Sequence, residues 1–224
     1  MTRHPRDPVV GSLFDGIGQP ELERAAEILS GCPTIEVDAG EPYFRSSFDP
    51  GALLVVRDGF VVVRAKPAGT GRTVITCEAG AGRIVLRPAV DEILVGLVPS
   101  RLTTVSEAAR ERLLALPQVA GVLFAQIART LALKQETIGN FGNTRHLERV
   151  RQKLLQLGRS YGRVGQGGIR IDFPVSHVVL AEMVGSSRET VTRAVDELQR
   201  SGFVSRRGHT YRLLVSPERL AWEV

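Results

Sequence analysis

The residues with the clearest chemical potential lie between Val175 and Arg207, in the segment VSHVVLAEMVGSSRETVTRAVDELQRSGFVSRR. Its apolar spacing predicts two helices joined by a tight turn at Gly185, because glycine adopts the backbone conformation that such a turn requires. Ser176 is the expected cap of the first helix. Ser186 and Glu189 stand in the S-x-x-E register of a capping box and are expected to start the second helix.

The predicted second helix has two faces of different chemistry. Its inward stripe is apolar and consists of Val191, Ala194, Val195 and Leu198. Its outward face carries long polar side chains, which are Arg188, Glu189, Thr192, Arg193 and Asp196. Gly202 ends the helix, and two short strands around Arg207-Gly208-His209 are predicted to form a wing. Such a helix beside a wing is suited to reading base edges in a DNA major groove.

The charge distribution agrees with this interpretation. Residues 1–144 hold 15 Lys and Arg against 16 Asp and Glu, whereas residues 145–224 hold 14 against 8. Thirteen of those 14 cations are Arg, whose planar fork suits phosphates and guanine edges. On charge alone, a solvated basic surface and a nucleic-acid contact are both possible, and the helix pair with its wing favours the contact.

The elements before this segment are predicted to position it. A helix is expected over Glu21–Leu29, followed by short β-rich runs that read LLVV, FVVV, TVITC and RIVL. Asp58-Gly59 lies between the first two runs and predicts a hairpin, because such turns require positive φ. Several short strands at this spacing indicate a small β-roll.

The period then changes to that of helices. Ser106 is expected to open a helix that Pro117 interrupts, and one long amphipathic helix of about 20 residues is expected from Val119 to Asn140. Its apolar stripe either lies against its own β-domain or forms a homodimer seam, and we favour the seam. The candidate seam residues are Leu123, Ile127, Leu131 and Ile138.

Two connections complete the predicted chain. Phe141-Gly142-Asn143-Thr144 is expected to be a hinge, with Asn143 or Thr144 capping a following helix that runs through Leu157. The glycine-rich stretch at residues 162–168 is interpreted as a loop, since no GK[ST] motif follows it.

Composition disfavours several other classes of protein. No apolar run approaches the roughly 18 residues of a membrane span, and the N-terminus lacks the apolar core of a signal peptide, so the expected location is the cytoplasm. Cys32 and Cys77 are too few for an iron–sulfur cluster and are expected to be core thiols. No catalytic triad, metal-ligand spacing or carboxylate pair emerges, so neither an enzyme nor a metal or other cofactor is expected.

At this point the sequence resembles the CRP/FNR family of bacterial transcription regulators. The match is closest across residues 180–208, where G-x-S-R-E-T-V-x-R is the family's recognition-helix signature. The resemblance implies an α+β protein. Its expected parts are a cyclic-nucleotide-binding-like β-roll at residues 1–116, a dimerisation helix and hinge at 117–142, and a winged helix-turn-helix at 143–224.

The resemblance also implies roles for individual residues. Arg188 and Arg193 would read guanines and Glu189 would accept from cytosine, which agrees with the hydrogen-bonding groups of these side chains and bases. Helix capping is the alternative role for Glu189. The phosphate-contact candidates are Ser176, Ser187, Thr190, Arg206, Arg207 and His209. The family's preferred half-site, TGTGA, is the expected target.

The resemblance fails at the effector site. Cyclic-nucleotide-binding relatives carry Gly-Glu and then Arg-Ser or Arg-Thr, whereas this chain reads AGAGRIVLRPAVDEILVGLVPS. Arg83, Arg87 and Thr130 are only weak effector candidates. The favoured interpretation is a regulator that binds a pseudo-palindromic promoter site as a homodimer without cyclic AMP, with RNA polymerase as a further candidate partner and no membrane contact. The alternative is a sensor whose β-roll binds a cyclic nucleotide or another small effector.

Overall fold

A computed structural model describes residues 8–67, 71–141 and 145–215. The chain forms two compact units. The first consists of Met1–Arg64 and Cys77–Lys134, and the second of Ala65–Thr76 and Gln135–Val224. The first unit therefore ends inside the long helix, whereas the sequence-based division placed boundaries at each end of that helix.

The first unit contains a β-roll preceded and followed by helices. The helices are α1 (Pro8–Leu13), α2 (Gln19–Ser30), α3 (Glu107–Leu114) and α4 (Pro117–Phe141), and the part of α4 after Lys134 belongs to the second unit. The strands are β1 (Thr34–Val37), β2 (Pro42–Phe44), β3 (Leu53–Asp58), β4 (Phe60–Ala65), β5 (Val74–Gly80), β6 (Ile84–Leu86), β7 (Glu92–Gly96) and β8 (Ser100–Val105). They form two four-stranded sheets in the orders β1-β8-β3-β6 and β2-β7-β4-β5. The predicted α+β class and the four predicted strand runs are confirmed.

The predicted hairpin at Asp58-Gly59 is wrong. Strand β3 lies in one sheet and β4 in the other, so the turn carries the chain between sheets. Gly59 has φ of 84°, and a Cβ there would collide with the Ser100 hydroxyl and the Pro99 backbone. The turn signal correctly predicted positive φ. The partner of a strand depends on which of its faces is covered. Because β3 and β4 are both apolar and buried at four consecutive positions, the sequence does not distinguish their two faces.

Helix α4 is attached to other elements of the first unit at several points. The Glu21 carboxylate of α2 accepts hydrogen bonds from the backbone N–H groups of Gln118 (2.9 Å) and Val119 (3.3 Å), so it caps the helix N-terminus. Lys134 Nζ lies 3.2 Å from Glu92 Oε1 of β7. Leu123 is only 2% exposed within the core of the first unit, which removes it from the candidate dimer seam.

Apart from the burial of Leu123, the long helix agrees closely with the helix predicted from the sequence. Ser106 caps α3 by accepting from the Ala109 N–H at 3.3 Å, and Pro117 begins α4, as the periodicity predicted. No single helix in the described part of the chain is long and apolar enough to cross a membrane. Helices α3 and α4 meet that criterion only as a pair bent by 118°.

The second unit packs three helices against a four-stranded antiparallel sheet. The helices are α5 (His146–Tyr161), α6 (His177–Val184) and α7 (Arg188–Arg200). The strands are β9 (Gly162–Gly165), β10 (Gly168–Ile171), β11 (Val204–Arg207) and β12 (Thr210–Leu213), in the order β11-β12-β10-β9. The core includes fully buried Leu154, Leu155 and Leu157 from α5 and Ile171 from β10.

The sequence predicted a loop at residues 162–168 and a hinge before α5. The stretch at residues 162–168 is not a loop, because it forms the β9–β10 hairpin with glycines of positive φ at 167 and 168. A run rich in glycine has little apolar periodicity, so its strands gave no pattern in the sequence. The predicted hinge at Gly142-Asn143-Thr144 and its capping residues lie outside the described residues. The structure has Arg145 at the N-cap of α5.

Candidate nucleic-acid interface

Helices α6 and α7 form the helix-turn-helix that the sequence predicted. Ser176 caps α6 by accepting a hydrogen bond from the Val179 N–H at 3.2 Å. Gly185 adopts the left-handed conformation at φ 60°, so the chain reverses there without a side-chain clash. The two helices then cross with Ala181 buried near the turn.

The cap of the second helix differs from the prediction by one residue. Ser187, not Ser186, caps α7, and its hydroxyl accepts from the Thr190 N–H at 3.2 Å. The Ser186 hydroxyl instead lies 3.3 Å from His146 Nδ1. Both serines precede the helix in the sequence, so spacing alone could not distinguish them. The contact of Ser186 with α5 decides the register.

The two faces of α7 are confirmed by burial. Val191, Ala194, Val195 and Leu198 are buried, whereas Arg188, Glu189 and Arg193 are exposed to solvent. Hydrogen bonds from its own backbone N–H and from Ser187 lower the pKa of Glu189, and the nearby Arg188 and Arg193 lower it further. An ionised carboxylate thus lies between two guanidinium groups at the first turn of the helix. It helps to cap the helix and remains accessible as an acceptor.

The buried Arg149 of α5 was missed by the sequence analysis. Its Nη1 donates to the Val184 carbonyl at the C-terminus of α6 at 3.1 Å, and its Nη2 contacts His146 Nδ1. A cation at that end is favoured by the helix dipole. Burial lowers the pKa of Arg149. The side chain positions the turn before α7, and its only sequence signal was a charged residue beside the apolar stripe of α5.

His177 links α6 to the recognition helix. Its Nδ1 lies 2.8 Å from the Thr192 hydroxyl, which donates its single proton to the Arg188 carbonyl at 2.9 Å. Nδ1 must therefore be the donor to Thr192, and Nε2 carries the lone pair. Nε2 is buried without a hydrogen-bond partner among the described residues. Burial lowers the pKa of His177, as does the Arg206 guanidinium.

Acidification is expected to destabilise the protein through His177. The unfolded chain takes up a proton near the ordinary pKa of 6.5, whereas the folded chain takes it up only at lower pH, so stability falls as pH drops below 6.5. Thermal unfolding between about pH 7.5 and pH 5.5 should show a smaller loss in His177→Asn, which keeps a donor to Thr192. An unchanged pH dependence in His177→Asn would contradict this role.

The wing presents its candidate residues in different ways. Arg207 and His209 are exposed around the turn between β11 and β12, and the His209 carbonyl accepts from the Val175 N–H at 2.7 Å. The Arg206 guanidinium instead lies 5.8 Å from the ring centroid of Tyr211, whose pKa burial raises to about 12. Arg207 and His209 are therefore better placed than Arg206 to meet a phosphate.

The effector candidates Arg83 and Arg87 flank strand β6, and Thr130 lies on α4. Arg87 donates through Nε and Nη2 to the Arg45 carbonyl at 3.2 and 2.9 Å. The Thr130 hydroxyl lies 2.9 Å from the Gln126 carbonyl and is buried. Arg83 lines an open cavity of about 380 Å³, whose lining residues are Arg83, Val122, Ala125, Gln126 and Arg129. Arg87 and Thr130 are thus engaged in intramolecular hydrogen bonds.

Comparison with known proteins gives a family match within the second unit. Residues 148–221 match the Crp-like helix-turn-helix domain. The "CRP-like cAMP-activated global transcriptional regulator" of Mycobacterium tuberculosis is 30% identical over 105 residues, which are 47% of this chain and 46% of that protein. The "Global nitrogen regulator" of Synechococcus elongatus is 30% identical over 112 residues, half of each protein. The chain thus spans about half the length of the curated relatives it matches.

The solved structures extend the likeness to nearly the whole chain. A CooA mutant from Carboxydothermus hydrogenoformans has a TM-score of 0.72 over 88% of this chain and 89% of that chain, at 15% identity, which is evidence for the fold alone. A β-roll, a long helix and a winged helix-turn-helix define an α+β protein of regulator type. Residues 148–221 carry a Crp-like helix-turn-helix domain, and the chain is similar to transcription regulators of the CRP/FNR type.

Proposed function

We propose that this protein is a cytoplasmic transcription regulator that binds a pseudo-palindromic promoter site as a homodimer. One observation carries the proposal. The exposed face of α7 presents Arg188, Glu189 and Arg193 together, while its other face is buried and both helices of the pair are capped. A rigid helix with such a face has the donors and acceptors needed to read base edges.

The surrounding residues support contacts to the DNA backbone. Ser176, Ser187 and Thr190 lie at the N-termini of α6 and α7, where free backbone N–H groups attract phosphate. Arg207 and His209 add cationic or polar groups on the wing. The proposed roles are base reading for Arg188, Glu189 and Arg193, and phosphate contact for the residues around them.

Selection from random duplex DNA with the full chain tests this function. We expect enrichment of two inverted half-sites resembling TGTGA, with centres about 10 base pairs apart, since the recognition helices of a dimer enter successive major grooves. G·C pairs should dominate each half-site because arginine forks match guanine. A pool that remains random after repeated selection would overturn the proposal.

The homodimer is supported by apolar side chains on α4 that the described residues leave exposed. Phe124, Leu131 and Ile138 recur at intervals of seven residues and are 75%, 48% and 68% exposed. Such spacing places them along one side of a helix, as in a two-helix seam. Ile127 is half-buried. We propose that Phe124, Leu131 and Ile138 pair with the same residues of a second copy.

Leu131→Asp is expected to convert the dimer to a monomer. Burying a leucine side chain contributes about 1.5–3 kcal/mol, and the seam would contain two copies of each changed residue. Sedimentation velocity should show the loss of the dimer, and affinity for the selected site should fall at least about tenfold. Leu114→Asp is the matched control, because Leu114 on α3 is also 48% exposed. An unchanged sedimentation coefficient in Leu131→Asp would contradict the seam.

We further propose that the β-roll does not hold cyclic AMP in the manner of its cyclic-nucleotide-binding relatives. The support is the absence of the Gly-Glu and Arg-Ser/Thr pairs in residues 79–100 and the engagement of Arg87 and Thr130 elsewhere. A buried phosphate would lack a compensating cradle. The second candidate function, a regulator gated by another small effector, is supported by the cavity beside Arg83 and Arg129.

A further inference from the structure

Thr192 lies among the proposed base-reading residues of α7. It follows Arg188 by four residues and Glu189 by three, and residues at those intervals are neighbours on a helix surface, with about 5–6 Å between Cβ atoms. Arg193 is the next residue in the chain. Thr192 is half-buried, whereas these three neighbours are exposed. Its side chain therefore lies at the base of the exposed polar face, between groups proposed to contact DNA bases.

The hydroxyl group of Thr192 is engaged within the protein. It donates its proton to the Arg188 carbonyl at 2.9 Å, and its oxygen accepts from His177 Nδ1 at 2.8 Å. A threonine hydroxyl has one proton, so this hydroxyl has none left to donate to a base. A threonine in a helix otherwise divides between two rotamers, and the two hydrogen bonds together select one. The methyl group is therefore the part of the side chain left for a contact outside the protein.

A methyl group on this surface has one complementary partner in the major groove. Among the four bases only thymine presents a methyl group there, beside its O4 acceptor, and the methyl group of threonine is one of the side-chain groups that contact it. The charged groups of Arg188, Glu189 and Arg193 suit G·C pairs instead. An apolar group between them therefore adds a preference for thymine that these three residues do not supply.

We propose that Thr192 is a further specificity-determining residue of α7, whose methyl group contacts the methyl group of one thymine in each half-site. This proposal rests on the proposed function. Because Thr192 lies between Arg188 and Arg193, the base pair that it meets is expected to lie between the two G·C pairs that these arginines read. In the expected half-site TGTGA, that pair is the central T·A pair. Its thymine is the predicted contact.

Deoxyuridine in place of thymine tests this contact, because it removes the methyl group and keeps the O4 acceptor and the base pairing. The full chain is titrated with the selected duplex and with the same duplex carrying deoxyuridine at the central T·A pair of each half-site. We expect affinity to fall about fourfold per half-site, which corresponds to about 0.8 kcal/mol, the value for burial of one CH₂ group. Deoxyuridine at thymines outside the half-sites should have no effect. Equal affinity for the two duplexes, or an equal loss at every thymine, would overturn the proposal.

Thr192→Ser and Thr192→Val separate the methyl group from the hydroxyl. Serine keeps the hydroxyl and its hydrogen bonds but lacks the methyl group, so this variant should bind the thymine and deoxyuridine duplexes equally. Valine replaces only the hydroxyl and has one strongly preferred rotamer in a helix, so this variant should keep the fourfold preference per half-site. Its melting temperature should fall, because His177 loses an acceptor. A thymine preference that survives in Thr192→Ser, or that is lost in Thr192→Val, would overturn the role of the methyl group.

Thr34→Ser is the matched control for the loss of a threonine methyl group. Thr34 is exposed on β1 of the first unit, so the same change there should leave the thymine preference intact. Loss of the preference in Thr34→Ser as well would overturn its assignment to α7. If the wild type binds neither duplex, the proposed function itself fails. Binding to both duplexes with equal affinity contradicts only the role of Thr192.

Discussion

Raising the salt concentration from about 50 to about 200 mM is expected to weaken site-specific binding by a thousandfold or more, as for proteins that make about 6–10 phosphate contacts. The excess positive charge of the chain lies at residues 145–224, which carry 14 Lys and Arg against 8 Asp and Glu. A dimer doubles that excess, and each phosphate that it neutralises releases condensed counterions. Anisotropy titrations across the salt range, plotted as the logarithm of affinity against that of salt concentration, measure the slope.

The control is the stability of the protein itself over the same salt range. Thermal unfolding of the free chain should change little, because its exposed ion pairs, such as Arg101–Asp58 at 4.0 Å, are each of small effect. The loss of DNA binding at high salt then arises from the contact between protein and DNA and not from unfolding of the protein. Affinity that stays level between the two salt concentrations would contradict binding through the DNA backbone.

Arg193→Ala is expected to reduce specific binding by about 1–3 kcal/mol per half-site, or roughly five- to 150-fold, because a bidentate arginine–guanine contact contributes that much free energy. The side chain is exposed, and its neighbours Val191 and Val195 hold the helix to the core. Unfolding should therefore change by no more than about 0.5 kcal/mol. Repeated selection from random DNA should show a relaxed preference at one base pair of each half-site.

Arg207→Ala on the wing is the matched comparison for Arg193→Ala. We expect it to weaken all DNA sequences about equally and to lower the salt slope by about one contact per subunit, because phosphates carry no sequence information. The two arginines differ in the element that holds them, a rigid helix in one case and a strand beside a turn in the other. An unchanged selected motif in Arg193→Ala would show that this residue does not read a base.

Local features of the sequence were sufficient to predict the helix-turn-helix and its exposed polar face. The inward stripe of α7, the cap at Ser176, the turn at Gly185 and the end of the helix near Gly202 all follow from interactions within a few residues. The same is true of the break at Pro117 and of the strands rich in valine. Helix periodicity, capping and glycine conformation are short-range effects, so they can be recognised without knowing what packs against them.

Only the tertiary structure decided which surfaces are free. Leu123 and Leu131 have the same character in the sequence, but the β-roll covers the first and leaves the second exposed. Glu21 caps a helix that begins almost 100 residues later, and Arg149 caps the end of α6 from another helix. Each contact joins residues distant in sequence.

Strand pairing set the remaining features. The partners of β3 and β4, and the alignment of Arg163, Arg170 and Arg212 on neighbouring strands, depend on the pairing and register of the strands. The helix-turn-helix and its exposed polar face were therefore determined by the sequence alone. The exposure of apolar side chains on α4, the cap of α7 at Ser187 and the pairing of the strands depended on long-range packing, because burial and register are properties of contacts between elements that no local pattern encodes.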